Sequence, residues 1–228
     1  MELSIDTSTR YAAVALSGQG EVVREMSWRS AQNHSVEVVP AARRLLEQAD
    51  CKMDQIDAIF VARGPGGFSA LRVGLSVAKS LAMARGIPLV AVGTLELEAR
   101  PYLGLGLPVC ALIEAGRSRV YRAMFGDHGG PDAIFGVETH EELVSSTQSR
   151  TLFCGEGAVA ISPMLRERLG SLAVVAGIPP PTRRPAVLAD IGYMRLQASE
   201  TDDPASLQPL YMRGGQFQNA LRKAKEAR

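Results

Sequence analysis

The stretch from Ile56 to Val92 constrains this chain more than any other. A mostly apolar, β-branched run, Ile56-Asp57-Ala58-Ile59-Phe60-Val61-Ala62, ends in Arg63-Gly64-Pro65-Gly66-Gly67, and a helical pattern then runs from Phe68 to about Arg85. Gly86-Ile87-Pro88 stops that helix, and Leu89-Val90-Ala91-Val92 supplies a second buried strand. Strand, glycine turn, helix and strand form a crossover unit, so the spacing predicts an α/β protein.

The flanking segments add antiparallel pieces. Leu3-Ser4-Ile5 and Tyr11 to Leu16 read as strands joined by the turn residues Asp6-Thr7-Ser8-Thr9, and a third strand runs from about Glu21 to Trp28. Val36, Val39, Ala42, Leu46 and Ala49 recur at helical spacing, with Pro40 near the front and Asn33 or Ser35 able to cap the start. A short helix follows near Thr94 to Arg100, giving a first half of βββαβαβα.

Gly104-Leu105-Gly106-Leu107-Pro108 reads as a linker, and behind it the opening pattern recurs. Val109 to Ile113, Arg119 to Phe125 and Ala133 to Val137 are predicted strands, as are Thr151 to Cys154 and Leu172 to Val175. Helices are expected at His140 to Ser145, Ala158 to Leu169 and Pro185 to Ala198. The expected organisation is a subdomain over 1–103, a shortened echo over 104–213 and a basic tail over 214–228.

Composition narrows the function classes. With 228 residues, 46% of them hydrophobic, the chain has enough apolar surface for one large core or two small ones. Its 25 Lys and Arg against 24 Asp and Glu give a net charge of +1, too little to hold a polyanion by bulk field. Cys51, Cys110 and Cys154 are scattered, without a CxxC pair, which suits a reducing compartment. The start, Met1-Glu2-Leu3-Ser4-Ile5-Asp6, lacks signal-peptide character and no run is long enough to span a bilayer, so a cytoplasmic chain without a membrane role is expected.

Reactive groups are few. The histidines, His34, His128 and His140, have no ligand spacing, and His140-Glu141-Glu142-Leu143-Val144 lacks the second histidine of a zincin motif. No GxSxG elbow is present, so neither a catalytic residue nor a metal site is nominated. Asp6, Thr7 and Ser8 sit where side chains and amides can meet a phosphate, yet the same residues also make a plain turn. Gly64-Pro65-Gly66-Gly67 matches neither GxxxxGK[ST] nor GxGxxG, leaving a phosphate cradle and a sharp turn as alternatives. Gly155-Glu156-Gly157 offers a second close approach to a ligand or a simple turn. On the helix from Phe68, Leu71, Leu75, Ala78 and Ala82 form one apolar stripe and Ala70, Gly74, Val77, Leu81 and Ala84 another, so the helix has two faces to cover. The small-residue face admits another helix, from this chain or from a partner.

Several motifs together resemble the TsaB (YeaZ) family, glycoprotease-like relatives in the actin, sugar-kinase and Hsp70 superfamily. They are Ile5-Asp6-Thr7-Ser8, His34-Ser35-x-Glu37, Gly64-Pro65-Gly66-Gly67-Phe68-Ser69-Ala70-Leu71-Arg72-Val73-Gly74, Gly86-Ile87-Pro88-Leu89, Val120-Tyr121, Gly155-Glu156-Gly157-Ala158 and Pro209-Leu210-Tyr211-Met212-Arg213. The chain departs from the family pattern at Gly67, Ser69, Ala70 and Glu114-Ala115-Gly116.

The resemblance implies an actin/sugar-kinase/Hsp70-like (ASKHA, ribonuclease H-like) fold of two similar mixed-sheet subdomains. It also implies a non-catalytic scaffold for threonylcarbamoyl transfer to the adenosine 3′ of the tRNA anticodon. Chemistry in that family belongs to the paralogue TsaD, which holds a metal through His-x-x-x-His; here His34 is followed four residues later by Val38. Pairing with TsaD through the two long helices, assembly with the ATPase TsaE, contact with tRNA through the complex and a homodimer in the partner's absence are implied. The expected interface is Val36, Val39, Arg43, Leu46, Leu71, Gly74, Leu75 and Ala78. No cofactor is expected in the isolated chain, with ATP or ADP at the partner interface and Asp6, Thr7, Ser8, Gly155 and Gly157 as the phosphate contacts. Two rivals stand beside this reading: a stand-alone kinase or ATPase using Asp6 and Gly155-Glu156-Gly157, and a metallopeptidase, which lacks an assembled metal site.

Overall fold

The computed structural model describes residues 1–127 and 133–212. His128 and the expected basic tail lie outside the described residues.

Five strands, β1 (Glu2–Asp6), β2 (Tyr11–Gly18), β3 (Glu21–Arg29), β4 (Ala58–Ala62) and β5 (Leu89–Val92), form a sheet in the order β3-β2-β1-β4-β5. β1 pairs antiparallel with β2 and parallel with β4, and β4 pairs parallel with β5. The crossover helix α2 (Phe68–Arg85) joins β4 to β5, and α1 (His34–Gln48) joins β3 to β4. Gly86 ends α2 with φ +63°, the left-handed conformation that closes a helix and favours glycine.

The second half repeats this topology strand for strand. β6 (Val109–Gly116), β7 (Arg119–Phe125), β8 (Ile134–Thr139), β9 (Thr151–Cys154) and β10 (Ala173–Val175) form a sheet in the order β10-β9-β6-β7-β8. Reversing that order matches β6 to β1, β7 to β2, β8 to β3, β9 to β4 and β10 to β5. The first hairpins correspond as well: Gln19-Gly20 and Arg117-Ser118 are two-residue loops with positive φ throughout, the conformation whose twist suits a tight hairpin. Two mixed sheets of one topology are the expected actin, sugar-kinase and Hsp70-like arrangement.

Helices cover both sheet faces. Leu3, Ile5, Ile59 and Val61 of the first sheet pack on Val38 and Leu45 of α1 and Leu75 and Ala78 of α2. β6 alternates with period two: Cys110 and Leu112 pack toward α4 (His140–Ser146), α5 (Glu156–Ala160) and α6 (Ser162–Leu169), while Val109, Ala111 and Ile113 face Leu95 and Ala99 of α3 (Thr94–Ala99). A short helix of the first half thus seals the second sheet.

The reverse exchange crosses the expected division at residue 104. α7 (Pro185–Gln197) returns to the first sheet, where Leu188 and Ile191 pack on Phe60, Val90 and Val92. Gly192 lies so close to the Phe60 ring that a Cβ would collide with it. Two local expectations also change. The helix expected from Ala158 to Leu169 breaks at Ile161, because Pro163 restarts it as α6 in the first turn, where its missing N–H costs no bond. Asn33 precedes α1 but its side chain makes no cap; instead its N–H donates to Ser30 Oγ at 3.1 Å.

Candidate functional site

The exchange of helices brings four segments to one point between the sheets. Arg183, just ahead of α7, donates from Nε to Asp6 Oδ2 at 2.7 Å and from Nη1 to Glu98 Oε1 at 3.0 Å and Glu156 Oε1 at 2.6 Å. Its Nη2 donates to Thr9 Oγ1 at 2.9 Å and to the Tyr11 carbonyl at 3.3 Å. Thr182 Oγ1 donates to Glu98 Oε1 at 2.7 Å, and Thr9 Oγ1 to Glu156 Oε1 at 2.8 Å. The guanidinium is 4% exposed and the Glu98 side chain 1%. A charge so far from water is tolerated only with its hydrogen bonds met, and here one cation stands among three carboxylates.

That cation occupies the place where the sequence suggested a phosphate. Asp6 is fully engaged, since its Oδ1 accepts from the Ser8 amide at 2.8 Å while Oδ2 holds Arg183. Thr7 donates to the Ala70 carbonyl at 2.7 Å, and Ser8 Oγ accepts from Thr94 at 2.9 Å. The glycine turn serves the same packing: Gly67 N–H donates to the Ser8 carbonyl at 2.8 Å, and Gly66 leaves no room for a Cβ beside that carbonyl. Gly155, at φ +92°, and Gly157 press on the β6 backbone at Leu112. In this structure the expected phosphate contacts Asp6, Thr7, Ser8, Gly155 and Gly157 all make bonds or packing contacts inside the chain.

Burial dominates the electrostatics. It raises the Glu98 carboxyl above the usual range, against the pull of Arg183 and the Thr182 hydrogen bond. Burial also opposes the Arg183 charge, but Asp6, Glu98 and Glu156 outweigh it and hold that pKa above its ordinary value. Cys110 is pushed up to about 12 and Cys154 well above its ordinary value by burial, which leaves both as thiols. His34 is buried, with Nε2 3.0 Å from the Thr9 carbonyl and Nδ1 3.4 Å from Ser30 Oγ. A carbonyl only accepts, so Nε2 carries the proton and the ring is spent on packing the β1–β2 turn. Val38, four residues on, is core. Among the described residues no three His, Cys, Asp or Glu side chains are arranged to hold a metal.

A second feature lies on the helical layer of the first sheet. Between α1 and α2 runs a groove of about 380 Å³ floored by Ala42, Leu46, Val77 and Leu81 and edged by Arg43, Glu47 and Lys52. Beside it Val36 and Val39 are 68% and 54% exposed, and Arg43 pairs with Glu47 at 2.8 Å on the surface. Four of the eight expected interface residues are here: Val36, Val39 and Arg43 exposed, Leu46 in the floor. The other four lie inside the chain. Leu71, Leu75 and Ala78 are core, and Gly74 faces Thr7, whose Oγ1 fills the space a Cβ would need. On α2 the partly exposed apolar residues are Val73, Val77 and Leu81, the last two from the second apolar stripe and around the helix from Leu71, Leu75 and Ala78.

Comparison with known proteins places the chain in a family. The "tRNA threonylcarbamoyladenosine biosynthesis protein TsaB" of Bacillus subtilis is 30% identical over 220 residues, 92% of this chain and 93% of that protein. The chain belongs to the TsaB family. A family model described as "TsaD: tRNA N6-adenosine threonylcarbamoyltransferase" matches residues 26–130, the span that holds α1, the glycine turn and α2. Among solved structures, YeaZ from Pseudomonas aeruginosa superposes with a TM-score of 0.74 at 26% identity, covering 92% of this chain and 98% of that one. The ethanolamine utilization protein EutJ from Carboxydothermus hydrogenoformans reaches a TM-score of 0.50 at 15% identity over 83% of this chain and 89% of that one, a likeness of fold alone.

Within this TsaB chain, sequence reasoning found Asp6 and the Gly155-Glu156-Gly157 turn but not what closes on them. Arg183 lies in Thr182-Arg183-Arg184-Pro185, which reads as the ordinary approach to a helix. Glu98 reads as one polar position on a short amphipathic helix. Neither carries a local signal, because the contact spans 177 residues for Asp6 and 85 for Glu98.

Proposed function

We propose that this chain is the non-catalytic scaffold subunit of the machinery that adds the threonylcarbamoyl group to the adenosine 3′ of the anticodon in tRNA. It pairs with the catalytic paralogue TsaD and, with it, takes part in assembly with the ATPase TsaE. The observation that carries this reading is the α1–α2 groove, apolar in its floor, charged at its edge and flanked by two exposed valines. Such a pattern suits a helical partner, because burial of the apolar floor drives association while rim charges set register. Family membership over nearly the whole chain supplies the pathway.

The cleft speaks against the kinase or ATPase alternative. A magnesium–nucleotide there would have to displace Arg183 from three carboxylates, at a cost of several kcal/mol. Nucleotide, where it enters, does so at the interface with the partner, and the chain works in the cytoplasm. Without TsaD, the same exposed face supports self-pairing.

Size-exclusion chromatography with light scattering tests the reading on the chain alone, on TsaD from the same organism alone, and on the equimolar mixture. A new species at the summed mass, together with threonylcarbamoyl transfer that depends on this chain, is the expected result. Two unshifted peaks at micromolar concentration would overturn it.

A further inference from the structure

A cavity of about 870 Å³ opens between the β1–β2 turn, the loop from β3 to α1 and the first turn of α2, away from the α1–α2 groove. Its charged lining is Arg10 and Arg29, and no Asp or Glu lines it. Both arginines come from one hairpin. Tyr11 is the register partner of Arg29, and the Ser30 N–H donates to the Arg10 carbonyl at 2.7 Å, so the two arginines sit on neighbouring strand ends. Neither side chain has an ion pair or hydrogen bond among the described residues. A cavity lined by two arginines and by no acid favours an anion from outside.

The far wall narrows the class of anion. Phe68 lines the cavity, is 54% exposed, and stacks on Tyr211 with ring centroids 5.2 Å apart. Arg72 lies 3.7 Å over the Phe68 ring and donates to Tyr211 Oη at 3.0 Å, so the one aromatic in the lining belongs to an aromatic and cationic stack. Ser30 and Ser69 add hydroxyls to the lining. An open cleft with cations at its rim and a flat stack at its edge matches a chain of phosphates carrying bases better than a compact ion, which would need a closed, desolvated site.

We propose that this cleft binds the phosphodiester backbone of RNA, with Arg10 and Arg29 on phosphates and the Phe68–Tyr211–Arg72 stack beside a base. The inference rests on the proposed role in tRNA modification, for which it names a surface that touches the nucleic acid. With a net charge of only +1, the chain contributes a local contact and not a general attraction.

The test is fluorescence anisotropy of a labelled tRNA transcript titrated with the full chain across a salt series, for wild type, Arg10→Gln/Arg29→Gln and Arg10→Lys/Arg29→Lys. The glutamine pair is expected to weaken binding at low salt at least tenfold and to lower the slope of log K against log salt by about two, while the lysine pair keeps that slope. Equal affinity and slope in wild type and the glutamine pair, or no binding by wild type at low salt, would overturn the proposal. So would competition by pyrophosphate or ATP at concentrations equimolar with the RNA, which would assign the cleft to a small phosphate ligand. Neither arginine lines the α1–α2 groove, so co-elution with TsaD reads the underlying function separately. An RNA result that fails while co-elution persists removes this inference alone.

Discussion

Arg183 and Asp6 lie 177 residues apart in sequence and meet at 2.7 Å, a side-chain contact that ties the return of α7 to the end of β1. Because Glu98 comes from the α3 segment that seals the second sheet and Glu156 from the start of α5, the same guanidinium bonds to both halves of the molecule. Replacing it by Met keeps most of the side-chain volume but leaves Asp6 and Glu98 buried without their cation. The expected loss is about 3–5 kcal/mol, read by urea denaturation at neutral pH. Arg183→Lys should recover only part of it, since a single ammonium cannot reproduce the planar fork that reaches Asp6, Glu156 and Thr9 together. A Met variant within about 1 kcal/mol of wild type would mean that the cluster does not hold the halves together.

The distance of that contact explains what the sequence revealed and what it hid. Strands β7, β9 and β5 and helix α2 are legible because each follows a local period of apolar residues bounded by turn residues, and their observed limits match the expected ones. The duplicated topology is legible for the same reason. Which sheet a helix covers is not local: Leu188 and Ile191 read as one side of a generic amphipathic helix, and only the fold puts them on Phe60. Face assignment on α2 fails for a related reason. Two apolar stripes are visible, but the residue filling the gap at Gly74 is Thr7, 67 positions earlier, on the turn that looked like a ligand site.

Glu98 makes the stability of the protein pH-dependent. Burial raises its folded-state pKa above the ordinary 4.5, so the native chain keeps this proton over a range in which the unfolded chain has lost it. Stability from this group is complete below pH 4.5 and declines as pH rises through the raised value. Glu98→Gln keeps a carbonyl oxygen for Arg183 and Thr182 and has no proton to lose. Its unfolding free energy relative to wild type should therefore rise between pH 4.5 and neutrality, as followed by denaturant midpoints at half-unit steps. A constant or falling difference over that window would show that Glu98 is ionised in the native state throughout.

Gly74 reports on packing inside the chain. A methyl group there collides with Thr7, so Gly74→Ala should cost about 1–3 kcal/mol through overpacking. Removing the obstacle with Thr7→Ala should return part of that loss in the double variant, a coupling that two independent sites would not show. Thermal melts of the two single variants and the double variant measure it. Simple additivity would place the strain elsewhere.

Val39 separates association from folding. It is 54% exposed and lines the groove between α1 and α2, while its neighbour in the helix, Val38, is core. Aspartate at position 39 puts a charge where a partner's apolar surface has to dry the groove, and an unpaired charge at such a contact costs several kcal/mol of binding. The free chain keeps that carboxylate in water, so its stability should stay within about 0.5 kcal/mol of wild type. Val39→Asp is therefore expected to abolish co-elution with TsaD and self-pairing alike while leaving the thermal melt unchanged. Gly74→Ala should do the reverse, lowering the melt while the surviving folded protein still pairs. Co-elution of Val39→Asp at wild-type affinity would move the partner surface off the α1–α2 groove, because Val39 lines that groove and is 54% exposed, so a partner seated there would have to bury the new charge.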